Sequence, residues 1–564
     1  MAKLRLLLGT SPNKRIELGG TFANEPILTN VSSSKDRFGI NVVPIEYTEG
    51  GRKREYLLRR PGFTSQGVNS VTTQQCEVAY GWEGNQNTWA NSWSDGKLFV
   101  STTLVGTAVS SISFLSEGYL GTTPLLYAIS QGDNAGYYFP NDAANASTAF
   151  TASTISTSAV VSSLATTSSM YAGQAVYGPT ISSGTRIFSV DSATQITLTG
   201  NPVSTSTAAV NYYDGLAKIL DVDFPGNAGK TLVSPMRYKD GYAFCLTQDG
   251  LLFNSDNLSI TAWGATSYVG TAEYPDQGTG LELYKNLLVA FNAFSMEFFE
   301  DTGGTLGSPL SRVPQLATRV GMPNYNETGV RLVVPQHATL YWIGATQGGK
   351  TALYRLNGYS PERVSDEAYE VLLEKDNQRT LNIFPVYGRT LAHVESTNSS
   401  RPYNLMFDVE SKQLGFWVFA HDTSSRIRMA AAIGEGRKNI LFCTNANVSS
   451  VYFMDPMGTT WLDDGTQNTV ILQTTKFDNG NEDKKRMNRL RIVSDLSAST
   501  CNFSVQHTDD DYQTFSTTRT IDLSQRYREI HRCGMFERRA WRLTHTGNVG
   551  FRIEALEGWF DQLP

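Results

Sequence analysis

Apolar and polar residues alternate along most of this chain in short runs cut by Gly, Pro, Asn and Asp. That is the period of half-buried strands rather than of amphipathic helices. Residues 170–213, ending SSGTRIFSVDSATQITLTGNPVSTSTAAVNYY, alternate most cleanly and place Ile187, Val190, Ile196 and Leu198 at inward positions. From 64 to 140, blocks such as KLFVSTTLVGTAVSSISFLSEGYLGTTPLLYAIS read as several strands in succession. Further on the pattern repeats. The segments opening TLVSPMRYKDGY, LELYKNLLVAF, RLVVPQHATLYW, TLNIFPVYGRTL and RMAAAIGEGRKN each place two or three strands around a turn, with Asp240-Gly241, Asp249-Gly250 and Gly348-Gly349 as hairpin formers. Their spacing, on the order of 45 residues, is that of four-stranded propeller blades.

The expected fold is all-β: an irregular β-propeller-like body, an inserted small β domain and a C-terminal β-sheet domain. The expected division is an extended arm over 1–63, a body over 64–140 and 214–465, an inserted Ser/Thr-rich module over 141–213, and a C-terminal domain over 466–564 expected to pack with the arm. The arm carries Gly19-Gly20, Pro26, Pro44 and Gly50-Gly51 between short β-prone runs, and little core of its own.

Gly344, Gly349, Lys350 and Thr351 match the phosphate-loop signature G-x-x-x-x-G-K-[ST] letter for letter. That signature works only where the loop opens a helix whose free N–H groups hold the phosphates. Here the following ALYRLNGYSP alternates like a strand into an Asn357-Gly358 turn. The match is read as a hairpin turn, with Lys350 solvated and no cofactor expected.

The run LYRLNGYSPERVSDEAYEVLL (353–373), together with EYLLRRPGFT (55–64), MEFFEDTGGTLGSPLSRVPQLATRVGMPN (296–324), HTDDDYQTFSTTRTIDL (507–523) and HRCGMFERRAWRLT (531–544), resembles the tail nozzle or packaged-DNA stabilisation proteins of short-tailed, podovirus-type phages. The shared order of these motifs carries the resemblance, outside 141–213. It implies a structural virion protein: a six-fold ring of the chain with itself below the portal and its head-to-tail adaptor, extending the DNA exit channel and retaining packaged DNA until ejection. Implied partners are the adaptor, a tail needle or plug, and tailspike or fibre proteins. Genomic double-stranded DNA would pass without tight binding. The alternative is a propeller-based receptor-binding or glycan-cleaving tail protein.

Composition sharpens this. At 564 residues the chain exceeds one ordinary core, and its net charge of −6 argues against a surface built to grip phosphates. Cys76, Cys245, Cys443, Cys501 and Cys533 are scattered and odd in number, which supports neither a disulfide framework nor a zinc site. The apolar run after Lys3 and Arg5 is too short for a signal-peptide core, and nothing approaches a membrane span. Synthesis in the host cytoplasm and a final place in the virion tail are expected.

No catalytic or metal constellation emerges. The six histidines lack metal spacing, and Glu300-Asp301 or Glu367 and Glu370 are carboxylate pairs whose convergence sequence cannot show. Asp509-Asp510-Asp511 reads as a turn or solvated charge run, and Trp82, Trp89 and Trp93 as aromatic core or subunit-interface packing rather than an exposed sugar-stacking stripe. Basic residues are densest at 484–491 and 526–542, and within the C-terminal domain Arg538 and Arg539, with Trp541 and Trp559 as apolar anchors, are candidates for an adaptor-facing surface.

Overall fold

The computed structural model describes residues 14–17, 38–49, 52–67, 74–82, 88–140, 148–271, 273–274, 276–304, 307–323, 329–336, 338–374, 377–396, 404–420, 426–433, 439–444, 450–455, 457–458, 460–479 and 483–562. Its strands build a seven-bladed propeller, an outlying module and a β-sandwich.

Blade one is Cys76–Trp82, Thr88–Trp93, Lys97–Val100 and Thr103–Thr107, a simple antiparallel meander. Blades three to six are meanders beginning at Arg237, Gly278, Val333 and Gln378. The first strand of every blade lies innermost, each against the first strand of the next. Closure uses both parts of the chain. Ile427–Ile433, Asn439–Thr444 and Tyr452–Met454 supply three strands of blade seven, and Thr64–Ser65 supplies the fourth, with Tyr452 opposite Ser65. Buried apolar residues from adjacent blades interleave, among them Phe291, Trp342, Leu353 and Phe416, as a propeller requires because no blade can bury both its faces alone.

Blade two holds the insertion. Its first three strands are Phe114–Leu120, Thr123–Ser130 and Ala135–Pro140, and its fourth is the end of Ser206–Lys218, where Ala217 pairs with Tyr138. The earlier half of that same strand, up to Tyr213, pairs with Thr148–Ile155 in the module, and Tyr212–Ala217 pairs with the module's Gln174–Tyr177. One continuous strand thus belongs to both units. Ile187, Ile196 and Leu198 are buried in the module's core, but Val190 is 39% exposed. The expected inward position fails there because register shifts on both sides of Val190 break the two-residue period of Ile187–Ser192.

The sandwich joins the two ends of the chain. Val42–Glu49 and Arg52–Arg59 extend a sheet made by Arg552–Gln562, Lys485–Ser494 and Glu529–Phe536. The facing sheet, Val470–Gln473, Ala540–His545, Asn502–Thr508 and Arg519–Asp522, is continuous with blade six through Phe38–Ile40. Between them lie Leu472, Leu490, Phe503, Trp541 and Phe560. Strand periodicity misses one helix, Glu367–Glu374. Asp366 caps it by accepting the Tyr369 N–H at 2.8 Å, and Tyr369, Leu372 and Leu373 bury the three-to-four-spaced face, with Tyr369 stacked on Phe407.

Candidate functional site

The innermost strands carry charged residues toward the propeller axis: Glu77, Glu117, Arg237, Glu282, Arg379 and Arg428, with Arg331 beside the fifth. They pair between blades. Arg237 of blade three meets Glu282 of blade four at 2.5 Å, while Glu77 of blade one receives Arg428 of blade seven at 2.8 Å and Arg379 of blade six at 3.2 Å. Glu395 stands behind, 4.0 Å from Arg428, accepting the Thr380 hydroxyl. Burial pushes its carboxyl up to about 7 against the pull of Arg428, and burial next to Arg237 lowers the Arg331 guanidinium. Buried charges persist only when paired, so these residues bind blades to one another. As chemistry they are weak candidates for acid–base work, since the acids are held by guanidinium groups. Sequence reasoning missed the cluster because its members lie as much as 351 positions apart, from Glu77 to Arg428.

A second buried knot sits where arm, propeller and sandwich meet. Arg60 donates to Asp463 at 2.8 and 2.5 Å, to Asn41 at 2.7 Å and to the Val418 carbonyl at 2.7 Å, with its guanidinium 4.4 Å above the Phe63 ring. Arg59 donates to the Val549 carbonyl and to Asn468. Burial, and then repulsion by Arg60, lowers the Arg59 guanidinium to about 10. Gly62 completes the corner, because a Cβ there would lie 2.0 Å from the Leu462 carbonyl oxygen. The Arg-Arg-Pro-Gly motif of the sequence is therefore the fold's junction.

The phosphate-loop match falls in the turn between Thr339–Gly344 and Ala352–Asn357, antiparallel strands paired from Gly344–Ala352 to Tyr341–Arg355. Gly348 has φ +75°, the Gly349 N–H returns to the Thr346 carbonyl, and Lys350 is exposed. No helix N-terminus follows Thr351.

The four adaptor-facing candidates separate. Arg538 is half exposed, 3.9 Å from Asp511. Trp559 is half-buried beneath Arg489, whose guanidinium lies 3.6 Å from its ring. Arg539 and Trp541 are corrections: they are 2% and 1% exposed. Arg539 is clamped by Asp509 at 2.7 and 2.6 Å, and Trp541 lies between the two sheets because odd positions of Ala540–His545 alternate inward with Leu543. Neither presents a surface. Arg526, Tyr527, Arg532 and Met535, exposed beside Arg538 on and before the edge strand Glu529–Phe536, are what that face offers instead.

Other candidates resolve locally. Asp510 caps its turn through Thr508 and Thr514, and Asp511 pairs with Lys476. Trp82, Trp89 and Trp93 are buried in blade one. Glu370 is fully buried against Arg363 and Ser365, while Glu300 is exposed. His337 and His421 lie outside the described residues; His393 is buried, its imidazole driven down to about 3 by desolvation. The five cysteines are buried and free. Among the described residues no His, Cys, Asp and Glu group is placed to hold a metal, and no helix is long and apolar enough to cross a membrane.

Residues 149–390 match the model of a phage stabilisation family described as bacteriophage P22 Gp10, beta-propeller. The match runs from the module into the second strand of blade six, less than half of the chain, and likens the chain to phage tail accessory proteins. It includes the module that the quoted motifs skip, and leaves out the N- and C-terminal motifs. No curated protein matches the chain. Among solved structures, the computationally designed Ika8 protein is 9% identical, covering 70% of this chain and 99% of its own, with TM-score 0.32. The WD40 beta propeller domain of Doa1 is 10% identical, covering 70% and 97%, with TM-score 0.35. The blade assignment therefore rests on strand pairing within this chain.

Proposed function

We propose that this chain is the tail nozzle of a short-tailed phage: a structural ring component below the portal and its adaptor that extends the DNA exit channel and retains packaged DNA until ejection. The family match over 149–390 carries the reading. Charge supports it. Residues 64–465, which contain the propeller, hold 22 Lys and Arg against 34 Asp and Glu, whereas 466–564 hold 14 against 13. An acidic body repels phosphates and lets DNA slide, where clustered cations would hold it through counterion release. The ion-paired axis of each propeller suits a rigid wall unit better than a glycan-cleaving cleft, so the DNA path lies between copies and not through a propeller.

The test is add-back. Heads filled with DNA but lacking this protein are mixed with the purified chain, then imaged and assayed for nuclease-accessible DNA. The reading expects a ring of copies at the tail vertex and retained DNA. DNA loss undiminished by the protein, or peripheral spikes instead of a ring, would overturn it.

A further inference from the structure

The inserted module opens a groove of about 530 Å³ beside its last strand, within the size range of small-ligand sites. The exposed residues Thr148, Thr151 and Ser163 stand on its rim, and Phe150, Met170 and Tyr213 make its floor. Pairing explains the arrangement. Thr148 lies opposite Tyr213 in adjacent antiparallel strands, so residues of Thr148–Ile155 and Ser206–Lys218 share the groove's wall. The Phe150 ring is half-buried, 6.0 Å from that of Tyr213, whose hydroxyl is bonded to Ser169. Ser163, at φ +61°, takes a left-handed conformation that a non-glycine residue rarely adopts, and does so at the rim.

The chemistry of the lining selects a ligand class. Among the described residues the groove has no Lys, Arg, Asp, Glu or His, so an ion entering it would lose water without gaining a counter-charge. A wholly apolar ligand would cover rim hydroxyls and leave them unpaired. A molecule with one apolar C–H face and a rim of uncharged hydroxyls fits both surfaces. We propose that this groove binds a neutral saccharide, with a pyranose face against Phe150 and its hydroxyls exchanging hydrogen bonds with Thr148, Thr151 and Ser163. The module leaves the propeller at the outer strand of blade two, which puts the groove away from the propeller axis. This site is separate from the nozzle reading and does not depend on it.

The experiment uses the full chain and ligand-observed NMR, with maltotriose, lactose and chitotriose as neutral probes and N-acetylneuraminic acid as a charged one. At least one neutral probe should bind with a millimolar or tighter Kd and the charged sugar should not. Thr151→Arg, a change at an exposed rim position, should weaken that binding at least tenfold with an unchanged unfolding temperature, and Phe150→Ala should weaken it as well. Failure of all three neutral probes to bind, or binding unaffected by Thr151→Arg, would overturn the proposal.

Discussion

Arg60 shows how a single residue can decide whether three parts of a chain stay together. Its guanidinium is fully buried, and its donors go to Asp463, Asn41, Val418 and its neighbour Pro61. Removing one partner of such a pair leaves the other charge uncompensated, which costs on the order of 3–5 kcal/mol. Arg60→Ala should therefore lower the unfolding midpoint in denaturant far more than Lys350→Ala, which should change neither stability nor nucleotide binding; saturable ATP binding lost in the Lys350 variant would show that the hairpin turn does hold phosphates. Proton linkage is testable at the same scale. The Glu395 carboxyl rises from its ordinary 4.5 to about 7, and Asp214, buried beside Thr107 and Tyr177, from 3.8 to about 7. The folded chain then holds more protons than the unfolded one between those values, so the stability these groups contribute is complete below about pH 4 and lost as pH climbs through 7. Asp510 and Asp522 act oppositely. Asp510 is held near 2 chiefly by Thr514, and Asp522, despite burial, by its bonds from Ser524 and Cys501. Their contribution is present above 3.8 and lost as pH falls toward 2. Thermal unfolding from pH 4 to 8 should show Glu395→Gln losing less stability than the wild type as pH rises from about 4.5 to about 7, with the difference between them constant above that; parallel curves throughout would remove Glu395 as a cause.

Among the elements, Ser206–Lys218 is the one whose behaviour sequence reading could not foresee. Composition changes sharply at 141–213, which makes the insertion legible, but a strand's pairing partners lie far away in sequence and alternation does not name them. The hairpin around Lys350 was legible for the opposite reason, since turn chemistry and both strands lie within 20 residues. The helix Glu367–Glu374 was missed although Asp366 and the spacing of Tyr369, Leu372 and Leu373 signal it, because eight residues give little periodicity to weigh against flanking strands. Replacing 141–213 by a short Gly-Ser linker should keep Leu216–Lys218 on blade two and leave the propeller folded. It should still lower the unfolding temperature by several degrees, because Tyr138 loses Tyr171, Tyr137 loses Arg186 and Asp214 loses Tyr177. Circular dichroism melts of the two proteins decide it, and an insoluble product would mean the module is needed for blade two to form.

For the whole molecule, charge and pairing separate what the C-terminal sandwich does from what its residue types suggested. Density of Arg at 526–542 pointed to a docking face, yet Arg539 and Trp541 are interior, since a strand buried on one face hides alternate residues whatever their charge. The surface that remains has exposed Arg526, Arg532 and Arg538 around Tyr527 and Met535, at a strand with no described neighbour on its outer side. If this face meets an acidic adaptor, its cations set the association rate and salt sensitivity, and Tyr527 and Met535 the rate of release. Reversing Arg526 and Arg538 to Glu should weaken attachment to heads lacking the protein, most at low salt, with circular dichroism and melting temperature unchanged. Arg539→Glu should instead unfold the sandwich, by stranding Asp509 and burying a second acid beside it. Co-sedimentation with heads, run beside a melt of each variant, separates the two outcomes. Undiminished attachment by the Arg526 and Arg538 double variant would place the docking face elsewhere on the chain.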